Sequence, residues 1–123
     1  MLLMRGGLEK VVDAYVAAWN ATDPAARQRL LDGSVTDDFV FSGPTGEFKG
    51  REAVDAFIAA MQERMPATEV VRTGPATAAA RYVEFGWELR NASTGARLLA
   101  GADGAEVGAD GRLARVEMKH MEA

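Results

Sequence analysis

The sequence predicts a single α+β domain in which three helices precede a series of antiparallel strands. Hydrophobic residues recur at helical spacing in segments before residue 66, and they alternate with period two in the segments after it. Helices and strands that are segregated along the chain in this way are typical of an α+β fold. The 123 residues fit one domain of ordinary size, which we place at residues 1–123.

The three predicted helices are recognised by their apolar stripes and their end signals. The first covers residues 8–20, where one face carries Leu8, Val11, Val12, Tyr15, Val16 and Trp19. The second begins at Asp23-Pro24, because aspartate caps a helix N-terminus and proline fits the first turn, and Gly33 is its predicted stop. The third begins near Gly50 and ends at Pro66, and its stripe is Val54, Phe57, Ile58, Met61 and Met65.

The predicted strands cover residues 37–42, 68–72, 77–90, 97–107 and 113–121. A turn-rich segment follows the first of them at residues 43–46, and Asp110-Gly111 predicts a hairpin turn because this pair tolerates positive φ. Alternation turns one set of side chains in the long strand toward the helices: Val83, Phe85, Trp87 and Leu89. In the last strand it turns Val116, Met118 and His120 the same way.

Residues 97–107 do not reveal their inner face, because both alternating sets are mostly apolar. The alternation therefore leaves open whether the carboxyl of Asp103 points inward. Small residues on the expected inner face of these strands are Ala79, Gly101 and Ala105. They favour either a pocket, since small residues leave space, or a sharply bent sheet.

Composition excludes several classes of function. A formal net charge of −4 and a pI near 5.0 argue against a nucleic-acid binder, because phosphate contacts need a basic face. The chain has no cysteine and a single histidine, so we expect no disulfide, no metal site and no cofactor. No apolar run approaches the ~20 residues that span a bilayer, and no secretion signal is recognised, so we expect a cytoplasmic protein without membrane contact.

The order and spacing of five segments resembles the NTF2-like superfamily, which includes SnoaL-like polyketide cyclases and ketosteroid isomerase. The segments are 12–23 (VDAYVAAWNATD), 37–41 (DDFVF), 46–54 (GEFKGREAV), 101–103 (GAD) and 110–116 (DGRLARV). The resemblance implies a cone-shaped, curved antiparallel sheet wrapped around three N-terminal helices, as in cystatin-like α+β barrels. It also implies a deep apolar pocket and a homodimer formed through the outer face of the sheet.

The resemblance assigns roles to individual residues. Tyr15 falls at the position of the oxyanion-binding tyrosine of ketosteroid isomerase, and Asp103 falls at that of its neutral, hydrogen-bond-donating aspartate. The expected general base corresponds to Gly43, with Ser42 beside it, which argues against the isomerase mechanism. SnoaL-like cyclases have an acid/base aspartate on the same sheet, similar in context to Asp103. His120 falls at an aromatic pocket position, and an inward His120 could replace the missing base.

The leading hypothesis is a cofactor-independent enzyme for a polyketide-, terpenoid- or steroid-like molecule, of cyclase, isomerase or hydratase/hydrolase type. Its predicted catalytic residues are Asp103, His120 and Tyr15, and its predicted pocket wall is Trp19, Phe41, Phe57, Met61, Phe85, Trp87, Gly101 and Met118. The alternative is a non-catalytic ligand-binding or dimerisation module. In that case Asp103 would be exposed or tied to backbone amides or Arg81, Tyr15 would be a core residue, and His120 would belong to a frayed end.

Overall fold

A computed structural model describes residues 5–123 of the chain. The helices are α1 (Arg5–Asn20), α2 (Pro24–Ser34) and α3 (Arg51–Arg64), and the strands are β1 (Val35–Gly43), β2 (Gly46–Lys49), β3 (Thr68–Ala79), β4 (Tyr82–Asn91), β5 (Arg97–Val107) and β6 (Leu113–Glu122). The α+β class is therefore confirmed. The first four residues of the predicted domain lie outside the described part.

The predicted start of α2 is confirmed, whereas its predicted end is wrong. Asp23 caps the helix, since its carboxylate accepts a hydrogen bond from the amide of Ala26 at 2.9 Å. The predicted stop at Gly33 is wrong, because the helix continues to Ser34 and passes directly into β1. Val35 is extended (φ −128°) and fully buried, so pairing with β6 ends the helix without a glycine.

The sheet is mixed and open. Its strand order is β2-β1-β6-β5-β4-β3, and β1 runs parallel to β6 while the other neighbours are antiparallel. The expectation of a wholly antiparallel sheet is thus wrong at one junction. The short strand β2 was not predicted, although the turn at residues 43–46 that joins it to β1 was. In shape the structure agrees with the expected cone, in which the sheet curves around the helices.

The chain reverses at Ala80-Arg81, where a single strand over residues 77–90 was predicted. Ala80 has a φ of 54°, and β3 and β4 pair on either side of it, from Ala79 opposite Tyr82 onward. The run of alanines contains no glycine or proline that would announce a turn. Ala79 is exposed, so its predicted place among the small inner residues is wrong.

A β-bulge in β6 reverses the facing of the last residues. Met118 lies opposite Asp103, but His120 rather than Lys119 lies opposite Ala102, so one residue is inserted. A bulge of this kind shifts the alternation by one position. The prediction that His120 faces inward is therefore wrong: its side chain is 61% exposed on the outer side, 3.6 Å from Glu122. Met121, predicted to face outward, lies on the inner side instead.

The core fills the space between the helices and the inner face of the sheet. The predicted inward residues Val83, Phe85 and Leu89 of β4 are buried there. The ring of Tyr15 on α1 contacts the rings of Phe39 and Phe85 edge-on, with centroid distances of 5.8 and 6.4 Å. Within residues 5–123, no helix is long and apolar enough to cross a membrane.

Candidate functional site

A cavity of about 560 Å³ lies between α1, α3 and the inner face of the sheet. Seven of the eight predicted wall residues line it: Trp19, Phe41, Phe57, Met61, Phe85, Trp87 and Met118. Apolar residues that were not assigned to it also contribute, namely Val16, Ile58, Met65, Val70, Leu89, Leu99 and Met121. The volume lies in the range that accommodates drug-sized small molecules.

One wall of the cavity is a cluster of aromatic rings from α1, β1 and α3. The Phe41 and Phe57 rings stack at 5.7 Å, and the Trp19 ring meets both of them at 5.3 and 5.9 Å. Phe48 of β2 stacks on Phe57 from behind at 4.2 Å. Because these rings support one another, the wall offers an apolar surface of fixed shape.

Asp103 is the one carboxylate among the residues that line the cavity. Its side chain points inward, and the residue is only 6% exposed. The indole Nε1 of Trp87 donates a hydrogen bond to Oδ1 at 2.9 Å. Burial raises the pKa of Asp103 from 3.8 to about 7, while the hydrogen bond from Trp87 acts in the opposite direction. Near neutral pH the carboxyl can therefore donate or accept a proton.

No cation neutralises Asp103 within the described part of the chain. Arg81, considered above as a partner, lies exposed in the turn between β3 and β4. A salt bridge would have held the pKa of the carboxyl low. The absence of one among residues 5–123 leaves burial as the dominant influence on this group.

Gly101 positions Trp87 beside Asp103. The two residues lie opposite each other on β5 and β4, and a Cβ at Gly101 would come within 2.4 Å of Cζ2 of Trp87. The missing side chain therefore makes room for the indole, which then reaches the carboxylate two residues further along β5. Gly101 does not line the cavity, so its predicted part in the wall is wrong. The indole–carboxylate hydrogen bond itself gave no signal in the sequence, because it depends on cross-strand register.

Tyr15 presents an unpartnered hydroxyl in the same cavity. The residue is 1% exposed, and its Oη has no hydrogen-bond partner among the described residues. Burial raises the pKa of this phenol well above 10 and the carboxylate of Asp103 raises it further, while the neighbouring side chain of Trp19 acts in the opposite direction. The hydroxyl thus stays protonated and can donate a hydrogen bond. Buried polar groups without partners are rare, which makes Tyr15 a candidate contact for a ligand oxygen.

Among residues 5–123, no imidazole and no second carboxylate accompanies Asp103 in the cavity. His120 lies outside it, and Gly43 and Ser42 are not among its lining residues. The ionisable residues that do line it are Tyr15, Arg64 and Asp103. The predicted residues Tyr15 and Asp103 thus line the same cavity, and Arg64, which was not predicted from the sequence, lines it too.

Two other polar side chains that line the cavity hold its walls together. The side-chain amide of Asn20 exchanges two hydrogen bonds with the backbone of Val70, at 2.7 and 2.8 Å, and so ties the end of α1 to β3. Gln62 donates to the carbonyls of Trp19 and Ala21 and accepts from the buried guanidinium of Arg27. Because their polar atoms already form hydrogen bonds within the protein, these two amides stabilise the walls of the cavity.

Solved structures with the same architecture come from several bacteria. A candidate isomerase of the SnoaL-like family from Agrobacterium tumefaciens superposes with a TM-score of 0.84 at 22% identity, covering 92% of this chain and 96% of that one. A candidate polyketide cyclase from Sinorhizobium meliloti gives 0.71 at 16% identity, covering 95% and 100%. A cystatin-like protein of unknown function from Methylobium petroleophilum gives 0.77 at 17%, covering 98% and 79%. At these identities the likeness shows the fold.

The fold defines the class first: this is an α+β protein of the NTF2-like, cystatin-like type. The SnoaL-like domain family matches residues 12–116, which is most of the chain, and the chain belongs to that family. The resemblance drawn from the sequence is thereby confirmed. Among curated proteins no significant match is found.

Proposed function

We propose that this protein is a cofactor-independent enzyme that moves a proton on an apolar small molecule held in the cavity. The observation that carries the proposal is the burial of Asp103 in an apolar cavity with no countercharge among residues 5–123. A carboxyl in such surroundings titrates near neutral pH, where general acid/base catalysis is most effective.

In this mechanism Asp103 and Tyr15 have separate tasks. The ionised carboxyl accepts a proton from the substrate and returns it at a second position, while Trp87 holds Oδ1 and leaves Oδ2 for the transfer. The hydroxyl of Tyr15 donates a hydrogen bond to a carbonyl or enol oxygen as negative charge develops there. The aromatic wall holds the carbon skeleton against both groups.

A single proton-carrying group favours isomerisation or intramolecular cyclisation over hydrolysis. These reactions can use one carboxyl that takes and returns the proton, whereas hydrolysis also needs a group that activates water. Among residues 5–123, neither an imidazole nor a second carboxylate lines the cavity. The solved structures described as candidate isomerase and polyketide cyclase support the same choice. Polyketide-, terpenoid- and steroid-like ketones are therefore the substrates to examine first.

The test is turnover of a panel of such ketones, followed by mass spectrometry and by solvent deuterium incorporation. Asp103→Asn should reduce the rate by about 10²–10⁴-fold, the usual contribution of a general acid/base. His120→Ala is the matched control, because its side chain is exposed outside the cavity, and it should leave the rate unchanged. Full activity in Asp103→Asn would refute the proposed chemistry.

A non-catalytic ligand-binding module is the second candidate, because the same cavity could simply store a ligand. Binding without deuterium exchange, equally tight in wild type and Asp103→Asn, would establish it. The absence of a salt bridge at Asp103 within the described residues favours the enzyme, since a binding module has no need of a carboxyl that titrates near neutrality.

A homodimer through the outer face of the sheet is also proposed. The centre of that face has a floor of small residues, Gly86, Ala100, Ala102 and Gly104, bordered by Tyr82 and by Leu98, which is 44% exposed. Small residues allow two sheets to approach closely, and the exposed leucine is available for burial. Light scattering at micromolar concentration should give twice the monomer mass of 13.1 kDa, and a strict monomer would refute the dimer.

A further inference from the structure

We infer that the ligand of this cavity is amphipathic and carries an anionic group, which lies against Arg64 at the cavity mouth. The inference rests on the proposed function of the cavity as a small-molecule site. It adds the requirement that the ligand carries a negative charge, which Asp103 and Tyr15 do not impose.

The cavity has a closed end and an open end, which differ in burial. Tyr15 and Asp103 are 1% and 6% exposed and belong to the closed end. The exposed lining residues mark the mouth. They come from the end of α1 and the loop after it, the β1–β2 turn, the end of α3 and the loop after it, and the end of β6: Asn20, Thr22, Pro44, Thr45, Arg64, Pro66, Ala67 and Met121. Arg64 is the last residue of α3 and therefore stands at this rim.

Arg64 is the one cationic residue that lines the cavity, and its guanidinium pairs with no carboxylate among residues 5–123. Most other arginines in this part of the chain are engaged, as Arg72 is with Glu9 and Asp13. In the described part of the chain no acidic residue lines the mouth, although the chain as a whole has a net charge of −4. The rim is thus a local positive site on an acidic protein, which attracts anions.

These positions define a class of ligand. Its carbon skeleton fills the apolar cavity, an oxygen faces Tyr15 and Asp103, and a carboxylate, sulfonate or phosphate remains at the mouth beside Arg64. An anion would be strongly disfavoured at the closed end, where it would be desolvated next to the carboxyl of Asp103. The ligand therefore enters with its uncharged end first.

A pair of fluorescent probes that differ by one charge tests this inference. 8-Anilino-1-naphthalenesulfonate carries a sulfonate, and N-phenyl-1-naphthylamine has the same ring system without it. Wild type should bind the sulfonate more tightly, and Arg64→Gln should weaken that probe about two- to fivefold, the scale of a partly solvated ion pair, while the neutral probe is unaffected. The preference for the sulfonate should shrink as the salt concentration rises from about 0.02 to about 0.5 M, because salt screens the attraction between solvent-exposed charges.

Three further variants separate this role of Arg64 from others. Arg29→Gln removes an exposed charge from α2 that does not line the cavity, and it should leave both affinities unchanged. Met61→Trp narrows the cavity and should weaken both probes, which locates them inside it. Arg64→Lys retains the charge and should restore most of the preference for the sulfonate.

The outcomes are distinguishable. Tight binding of the neutral probe with no preference for the sulfonate, or equal loss of both probes in Arg64→Gln, would overturn the inference and leave the proposed function standing. Failure of both probes to bind inside the cavity of the wild type would overturn both.

Discussion

Replacing Asp103 with asparagine should remove a large pH dependence from the stability of this protein. Asparagine has nearly the same shape and keeps an oxygen that can accept the hydrogen bond from Trp87, but it cannot ionise. The variant therefore isolates the free energy of placing a carboxylate in the cavity. Its effect follows from the raised pKa of the buried carboxyl.

The sign and size follow from proton linkage. The carboxyl has a pKa of about 7 in the folded protein and an ordinary value of 3.8, so between these limits the unfolded chain releases its proton first. The contribution of Asp103 to the stability therefore falls as pH rises through this window, and it levels off above pH 7. The total is about 4 kcal/mol, because each tenfold change in proton affinity is worth about 1.4 kcal/mol. About 3 kcal/mol of it falls between pH 5 and 8.

The measurement is urea unfolding of wild type and Asp103→Asn at several pH values, monitored by circular dichroism. The free energy of unfolding of the variant minus that of the wild type should rise by about 3 kcal/mol from pH 5 to pH 8. Taking this difference cancels other titrating groups. Glu106→Gln, an exposed substitution on the same strand, should show a difference that does not vary with pH in this range.

A difference between variant and wild type that is constant from pH 5 to 8 would refute the reasoning. It would mean that Asp103 is already ionised at pH 5 in the folded state, with water or a cation compensating its burial. The acid/base role would then lose its physical basis.

Four further substitutions, of which Gly33→Ala is a control, test the geometry of the site. Gly101→Ala should destabilise the fold by about 1–3 kcal/mol and shift the fluorescence emission of Trp87, because the added Cβ would clash with the indole. Gly33→Ala is the control: its Cβ would meet open space within a helix, so it should stabilise the fold by about 0.5–1 kcal/mol. Tyr15→Phe should raise the stability of the free protein by about 1 kcal/mol by removing an unpartnered buried hydroxyl, and a loss of stability in denaturation would point to an unseen partner. His120→Ala should change the unfolding free energy by less than about 0.5 kcal/mol, and a larger change would contradict its exposed position.

The sequence determined the local and periodic features of this protein. Helical stripes, the Asp23 cap and the Asp110-Gly111 turn depend on neighbouring residues, and all three are found where they were expected. Alternation in β4 likewise identified its buried face correctly, because its pairing with β5 is regular from Tyr82 to Leu89. The segments that resemble the NTF2-like superfamily carried the fold assignment in the same way.

Only the tertiary structure decided which side chains meet in the cavity. One inserted residue in β6 turned His120 outward and Met121 inward, and no local pattern in the sequence announces such a bulge. The burial of Asp103 and its contact with Trp87 depend on the register between β4 and β5, and thus on residues 16 positions apart. Arg64 reaches the same cavity only because the end of α3 lies over the open end of the sheet. Alternation describes one strand at a time, whereas a site formed from several elements requires their relative placement, which long-range packing sets.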